Sequence, residues 1–305
     1  MKTKNKFILG LSLLLSVFLI WYLFVKETDY TISFTVKAGT GTVFQGINEW
    51  SVTQLEKEKE NYKIIAKNNF DFIKQRMTKN HSQIDYTWEM VPINDSMTKV
   101  NVGIKEWNHS LYNKISAPFV NTKFKEEQIQ KIKSFKEGLN DHISKFKYKI
   151  DGLGSSKEEF VAYISLKSVL QTKAQTMIGN DGIITGFLQT HNIKIQGRPY
   201  VEVTKWDFEK ETLDFNYCFP IDKNTKIIAD KEVKFKTIPA MKGLKATYFG
   251  NMRTSDRSWF ALLDYAKKNG YELNNKPLEH FFANPFNGGD ELSWKTEVII
   301  PFVKR

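Results

Sequence analysis

The sequence predicts an α+β chain with one N-terminal transmembrane helix, an antiparallel-sheet domain closed by a long helix, and a C-terminal domain built from a duplicated βαββ unit. Three observations predict it. Residues 7–25 form a run of 19 without a charge. Several short runs after it alternate apolar and polar residues, the period of a strand with one buried face, and one long run repeats apolar residues every three or four positions. The C-terminal half carries one pattern twice. Pro199-Tyr200-Val201-Glu202-Val203 leads through an aromatic strand to Pro220, 21 residues on, and Pro277-Leu278-Glu279-His280-Phe281 leads to Pro301, 24 residues on. Units too small to bury an apolar face alone must pack on each other, and a cleft between them is a natural pocket.

Length and composition bound the answer. At 305 residues, two domains are the default. The net charge of +11 suits nucleic acid, an anionic membrane surface or an acidic ligand, and three lysines in the first six positions account for part of it. Cys218 is the sole cysteine, which excludes an intrachain disulfide, a zinc knuckle and a CxxC redox pair. It lies in the apolar pattern Phe215, Tyr217, Phe219 and reads as core packing.

The uncharged run spans about 28 Å as a helix, enough to cross a hydrocarbon core of roughly 30 Å. Lys2, Lys4 and Lys6 precede it, and Lys26, Glu27 and Asp29 follow. The positive excess predicts a cytoplasmic N-terminus with the soluble domains outside the cytoplasm, in a periplasmic location. A cleaved signal peptide would need small residues at its end, where this run has Ile-Trp-Tyr-Leu-Phe-Val. Residues 1–26 are therefore expected to be an uncleaved anchor.

Residues 30–36 alternate as a strand. Val43, Phe44, Ile47 and Trp50 have helical spacing over 42–52. Residues 70–77, 84–91 and 98–104 read as strands, the last two joined at Asn94-Asp95-Ser96. Residues 122–146 predict a long amphipathic helix with Ile132, Phe135, Leu139, Ile143 and Phe146 inward. Residues 121–150 hold eight lysines against four acidic residues, the pattern of a solvated helix face. Strand, short helix, antiparallel strands and a closing helix make a helix-grip arrangement. Over 27–150 the sequence resembles the polyketide-cyclase and START-like (SRPBCC) superfamily. The resemblance lies in 30–50, with Thr42-Val43-Phe44 entering the first helix, and in Phe135-Lys136-Glu137-Gly138-Leu139. It implies a curved sheet around an apolar cavity, which the short charged stretch 52–69 would reduce. Asp151-Gly152-Leu153-Gly154-Ser155-Ser156-Lys157 reads as a flexible linker, 151–157.

In the C-terminal domain, 158–305, the first copy reads as a strand over 160–170, a glycine-weakened helix over 172–192 and a hairpin, 200–208 with 212–221. The second reads as strands over 233–238 and 243–249, a helix over 255–269 capped by Ser255 and stopped by Gly270, and a hairpin, 278–283 with 294–303. Here the sequence resembles the GyrI-like domain, the effector-binding domain of AraC-type regulators. The motifs are Gly243-Leu-Lys-Ala-Thr-Tyr-Phe-Gly250, Pro277-Leu278-Glu279, Asn284-Pro285 and Thr296-Glu297-Val298-Ile299-Ile300-Pro301. The resemblance implies two pseudo-symmetric βαββ units, a cleft for an amphipathic or cationic small molecule, and Glu279 as the acidic residue of that cleft. A carboxylate among rings suits a bound cation, because ring faces attract it. The aromatic candidates are Tyr248, Trp259, Phe281 and Trp294. A buried carboxylate would need a solvent path, a proton or a partner. Glu297 reads as structural.

No HxxxH or HExxH metal pattern, nucleophile elbow or phosphate-binding loop occurs, and no cofactor is expected. Regulators of this class place a helix-turn-helix ahead of the effector domain. Here that place holds the apolar run and the START-like segment, so nucleic acid is not an expected partner. The leading expectation is a membrane-anchored small-molecule-binding protein. A hydrolase using Glu279 and Tyr248 in the same cleft and a non-catalytic scaffold are the alternatives.

Overall fold

The structure, a computed structural model, describes residues 2–58, 62–79, 82–283 and 288–303. The chain is α+β, with two antiparallel sheets and an apolar N-terminal helix. It divides into two compact units, Met1–Asn140 and Asp141–Arg305.

The first unit begins with helix α1 (Lys2–Ile20), whose last turn widens to π geometry over Trp21–Val25. The apolar window Lys6–Val25 is long enough to cross a membrane, and none of it is buried. Strand β1 (Tyr30–Val36), helix α2 (Thr40–Glu58), strands β2 (Tyr62–Asn68), β3 (Phe72–Lys79), β4 (Ser82–Asn94) and β5 (Met97–Glu106), and helices α3 (Ser110–Ser116) and α4 (Lys123–Ser144) follow. The sheet runs β1-β5-β4-β3-β2. Helix α2 extends past the predicted 42–52. The single strand expected over 70–77 is the second of a pair, because Phe70 takes a left-handed φ of 70° in the turn between β2 and β3. Helix α3 was not among the elements expected from the sequence.

Helix α4 buries the predicted stripe Ile132, Phe135 and Leu139. The Phe135 ring lies 4.8 Å from Trp88 and 5.2 Å from Trp50, and Trp50 meets Tyr62 at 5.8 Å. These rings fill the space between helix and sheet with edge contacts worth about 0.5–1.5 kcal/mol each beyond their buried area.

The second unit is one eight-stranded sheet. Its strands are β6 (Phe146–Ser155), β7 (Glu159–Val169), β8 (Tyr200–Asp207), β9 (Thr212–Pro220), β10 (Lys234–Ile238), β11 (Lys242–Gly250), β12 (Leu278–Phe281) and β13 (Lys295–Pro301). Helices α5 (Lys173–Gly179) and α6 (Asp181–Thr190) follow β7, and α7 (Arg257–Asn269) follows β11. The strand order is β10-β7-β9-β8-β12-β13-β11-β6. Residues 159–220 therefore run strand, helices, hairpin with the hairpin's second strand beside the first strand, and residues 242–301 do the same. The two halves meet where β8 pairs with β12.

Three expectations need correction. Phe146 opens a strand instead of closing a helix. Residues expected as linker, through Ser155, are the end of β6 paired to β11, with a bulge opposite Lys245/Ala246. Gly152 sits there with φ +85°, so a glycine that reads as loop punctuation serves a bulge. The helix expected over 172–192 breaks at Asn180 into α5 and α6.

Candidate functional site

Side chains alternate across a strand, so Glu279 and Phe281 of β12 face the helices while Leu278 and His280 face away. His280 stacks on Tyr200 at 4.3 Å on that far side, where Val161, Tyr200, Cys218, Leu278 and Ile299 form a buried cluster. Cys218 is fully buried, and burial pushes its thiol pKa up, which suits packing and not reactivity.

On the helix side Glu279 is fully buried. The Lys173 ammonium of α5 donates to Glu279 Oε2, and Trp259 Nε1 of α7 donates to Oε1 at 3.2 Å. Lys173 Nζ also donates to Ser255 Oγ at 3.0 Å and lies 4.4 Å from the Trp259 ring centroid. Ser255 does not cap α7 as expected. Its hydroxyl donates to Met252 O at 2.8 Å, and the residue at the cap is Asp256. The buried carboxylate has the partner its burial demands, and that partner is an internal cation.

The other predicted residues differ in their relation to this pair. Trp259 joins Glu279. Tyr248 is buried on the helix side, stacked on Phe146 at 5.8 Å, with its hydroxyl against Thr254 Oγ1 at 2.7 Å and Asn251 O at 3.1 Å, and the Glu279 charge reaches it. Its phenol is pushed above the usual range, first by burial. Trp294 is half-buried, and its carbonyl accepts from Gly250 N at 3.1 Å. Glu297 pairs with Lys295 at 2.6 Å and Lys245 at 3.6 Å. The Asn284-Pro285 motif lies outside the described residues.

Phe281 leads to a different feature. It lines a cavity of about 280 Å³ with Met177 and Ile178 of α5, Asp181 and Thr185 of α6, Tyr217 and Phe219 of β9, and Arg198, Pro199, Met252 and Ala283. Both halves of the unit contribute to it. It abuts the buried pair, because Phe281 is the next helix-facing residue after Glu279 and Met177 lies one turn beyond Lys173. Asp181 is the carboxylate that faces this space, and its Oδ1 accepts from Tyr217 Oη at 2.9 Å. The exposed Arg198 supplies a positive charge at the rim. Rings, two thioethers, one acid and one base among the described residues make a surface for an amphipathic molecule.

Sequence reasoning missed Lys173 and Asp181. Lys173 had a signal, since it shares a helical stripe with Ala174 and Met177, all buried. Asp181 reads as an ordinary acid in the first turn of a helix, which it also is.

The chain matches no protein-family model and no curated protein. Among solved structures it is similar to the EcmrR C-terminal domain, with 17% identity over 52% of this chain and 99% of that one, at a TM-score of 0.45. It is also similar to SAV2435 bound to tetraphenylphosphonium, with 14% identity over 52% and 94% and a TM-score of 0.36. A hydrolase from Listeria innocua has 8% identity over 50% and 92%, with a TM-score of 0.34.

Proposed function

We propose that this is a membrane-anchored binding protein whose second unit, a GyrI-like duplicated βαββ domain, holds a small amphipathic molecule between its two halves. The supporting observation is the cavity lined by Phe281, Tyr217, Phe219 and Met177 from both halves, with Asp181 facing it. Asp181, and not Glu279, is the carboxylate that meets a ligand's cation. Glu279 is neutralised by Lys173 and has no open side, so its part is to fix α5 and α7 against the sheet that forms the cavity. Binding is favoured over turnover, because the Glu279 carboxylate and Tyr248 hydroxyl are buried on protein partners. In the first unit, a helix-grip fold of START-like type, packed rings favour a structural or docking role over a lipid cavity.

A thermal-shift experiment on the full-length protein in nanodiscs tests this. Tetraphenylphosphonium and tetraphenylborate share shape and differ in charge. The cation should raise the melting temperature of the wild type, and Ala283→Trp, which plugs the cavity mouth, should remove the effect. A shift from the anion alone would move the anchor to Arg198. No shift from either ion, or one that persists in Ala283→Trp, would overturn the cavity as the site.

A further inference from the structure

Helix α3 is built inside out. Its polar residues face the protein. Ser110 Oγ donates to Asp29 Oδ1, Asn113 Nδ2 donates to Glu106 Oε2 at 2.9 Å, and Asp29 Oδ2 accepts from Glu106 N at 2.9 Å. Asp29 and Asn113 are buried. Its apolar residues face out. Leu111, Tyr112 and Ile115 are 48%, 62% and 53% exposed, and in the helical turn that continues α3, Phe119 and Val120 are 84% and 56% exposed. A helix meant for water has the opposite arrangement, and contiguous exposed apolar surface marks an interaction site.

The contacts of α3 say what covers it. Lys114 Nζ, buried, donates to Leu23 O at 3.0 Å and to Lys26 O, which satisfies carbonyls left unpaired at the end of the apolar helix. Tyr22 Oη donates to Lys114 O at 3.1 Å. Helix α3 is thus bonded to the last turn of the window Lys6–Val25. Leu23 lies three residues, about 4.5 Å, inside Lys26 along that helix. A bilayer's interfacial layer is roughly 5–8 Å deep on each side. Where α1 crosses a membrane, α3 lies within that layer.

We propose that the outward face of α3 and the turn after it is a membrane-interface surface, with Leu111, Ile115 and Phe119 inserted at the acyl boundary and Tyr112 at headgroup level. Aromatic rings favour that level, and an apolar helix face lies there in the membrane plane. The first unit is then held against the bilayer by two contacts, the span and α3. This rests on α1 being a membrane span, and the test separates the two.

Full-length protein in phosphatidylcholine–phosphatidylglycerol nanodiscs would carry a nitroxide on one cysteine introduced at Phe119, Leu14 or Asp95. Native Cys218 is buried and escapes labelling. Asp95 is exposed at the far end of the β4–β5 hairpin, about 30 Å from Glu106. Collision with oxygen, which partitions into lipid, is compared with collision with a water-soluble nickel chelate. The expected result is a lipid signature at Leu14, an interfacial one at Phe119 with oxygen collisions exceeding nickel, and an aqueous one at Asp95. Leu14 in lipid with Phe119 aqueous would overturn the interfacial surface and leave the span intact. Leu14 aqueous would overturn both. Phe119 shielded from both reagents would mean that protein, such as a second copy of the chain, covers the face, and would also overturn the proposal.

Discussion

Lys173 and Glu279 stand 106 residues apart in sequence and meet at the centre of the second unit. Both are essentially unexposed, so removal of one charge strands the other. Lys173→Met or Glu279→Gln alone should cost about 3–5 kcal/mol in denaturant unfolding, and Lys173→Met with Glu279→Leu should recover most of that loss. A loss in the double variant equal to the sum of the two single losses would mean the pair is not coupled. His142 offers a pH test. Burial first, and then the Arg257 and Lys145 charges, push its pKa from 6.5 down to about 4, and Arg257 Nε donates to its Nε2 at 3.0 Å. A folded-state pKa below the unfolded one means that the unfolded chain binds the proton first. The contribution is whole above pH 6.5 and is lost as pH falls toward about 4. NMR should place the His142 midpoint near 4, and His142→Gln should flatten the melting temperature against pH between those limits. A midpoint near 6.5 would contradict this. Of the residues singled out from the sequence, Phe281 lines the cavity. Glu279 and Phe281 lie on the sheet face that Trp259 of α7 packs against. The partner of Glu279 was not legible, because pairing across 106 residues is set by the sheet order and not by any local pattern.

Among the elements, the strands of both hairpins were readable from alternation and the long helix α4 from its apolar stripe. The failures have local causes. Glycines were read as breaks, yet Gly152 serves a bulge within β6 and the α5–α6 boundary falls at Asn180. Helix α3 was missed although Leu111, Ile115 and Phe119 recur every four residues, because a helix of seven residues is too short for its period to stand out from a loop. Two glycines give opposite predictions. A Cβ on Gly243 of β11 would come within 2.2 Å of Ile300 O and 2.8 Å of Pro301 Cα, both backbone of the paired strand β13. Gly243→Ala should therefore push the strands apart and cost about 3 kcal/mol. A Cβ on Gly186 of α6 would meet nothing within 4 Å, so Gly186→Ala should stabilise by about 1 kcal/mol. Thermal unfolding of the two variants checks both signs.

For the whole molecule, α+β class and an N-terminal helix apolar enough to span a membrane were evident from sequence. The strand order of the second sheet, which puts like halves side by side, was not, since periodicity carries no information about which strands pair. With the span read as an anchor and the lysines ahead of it held in the cytoplasm, protease added outside intact spheroplasts should digest the region after Val25. Protection would reverse the orientation. The central claim is that the cavity facing Asp181 takes the ligand while Glu279 stays locked on Lys173. Equilibrium dialysis of tetraphenylphosphonium against full-length wild type, Asp181→Asn and Ala283→Trp tests it most directly. The predicted result is binding by the wild type, weakening of about tenfold, or 1.4 kcal/mol, in Asp181→Asn, and loss in Ala283→Trp. Equal binding by all three proteins would contradict it.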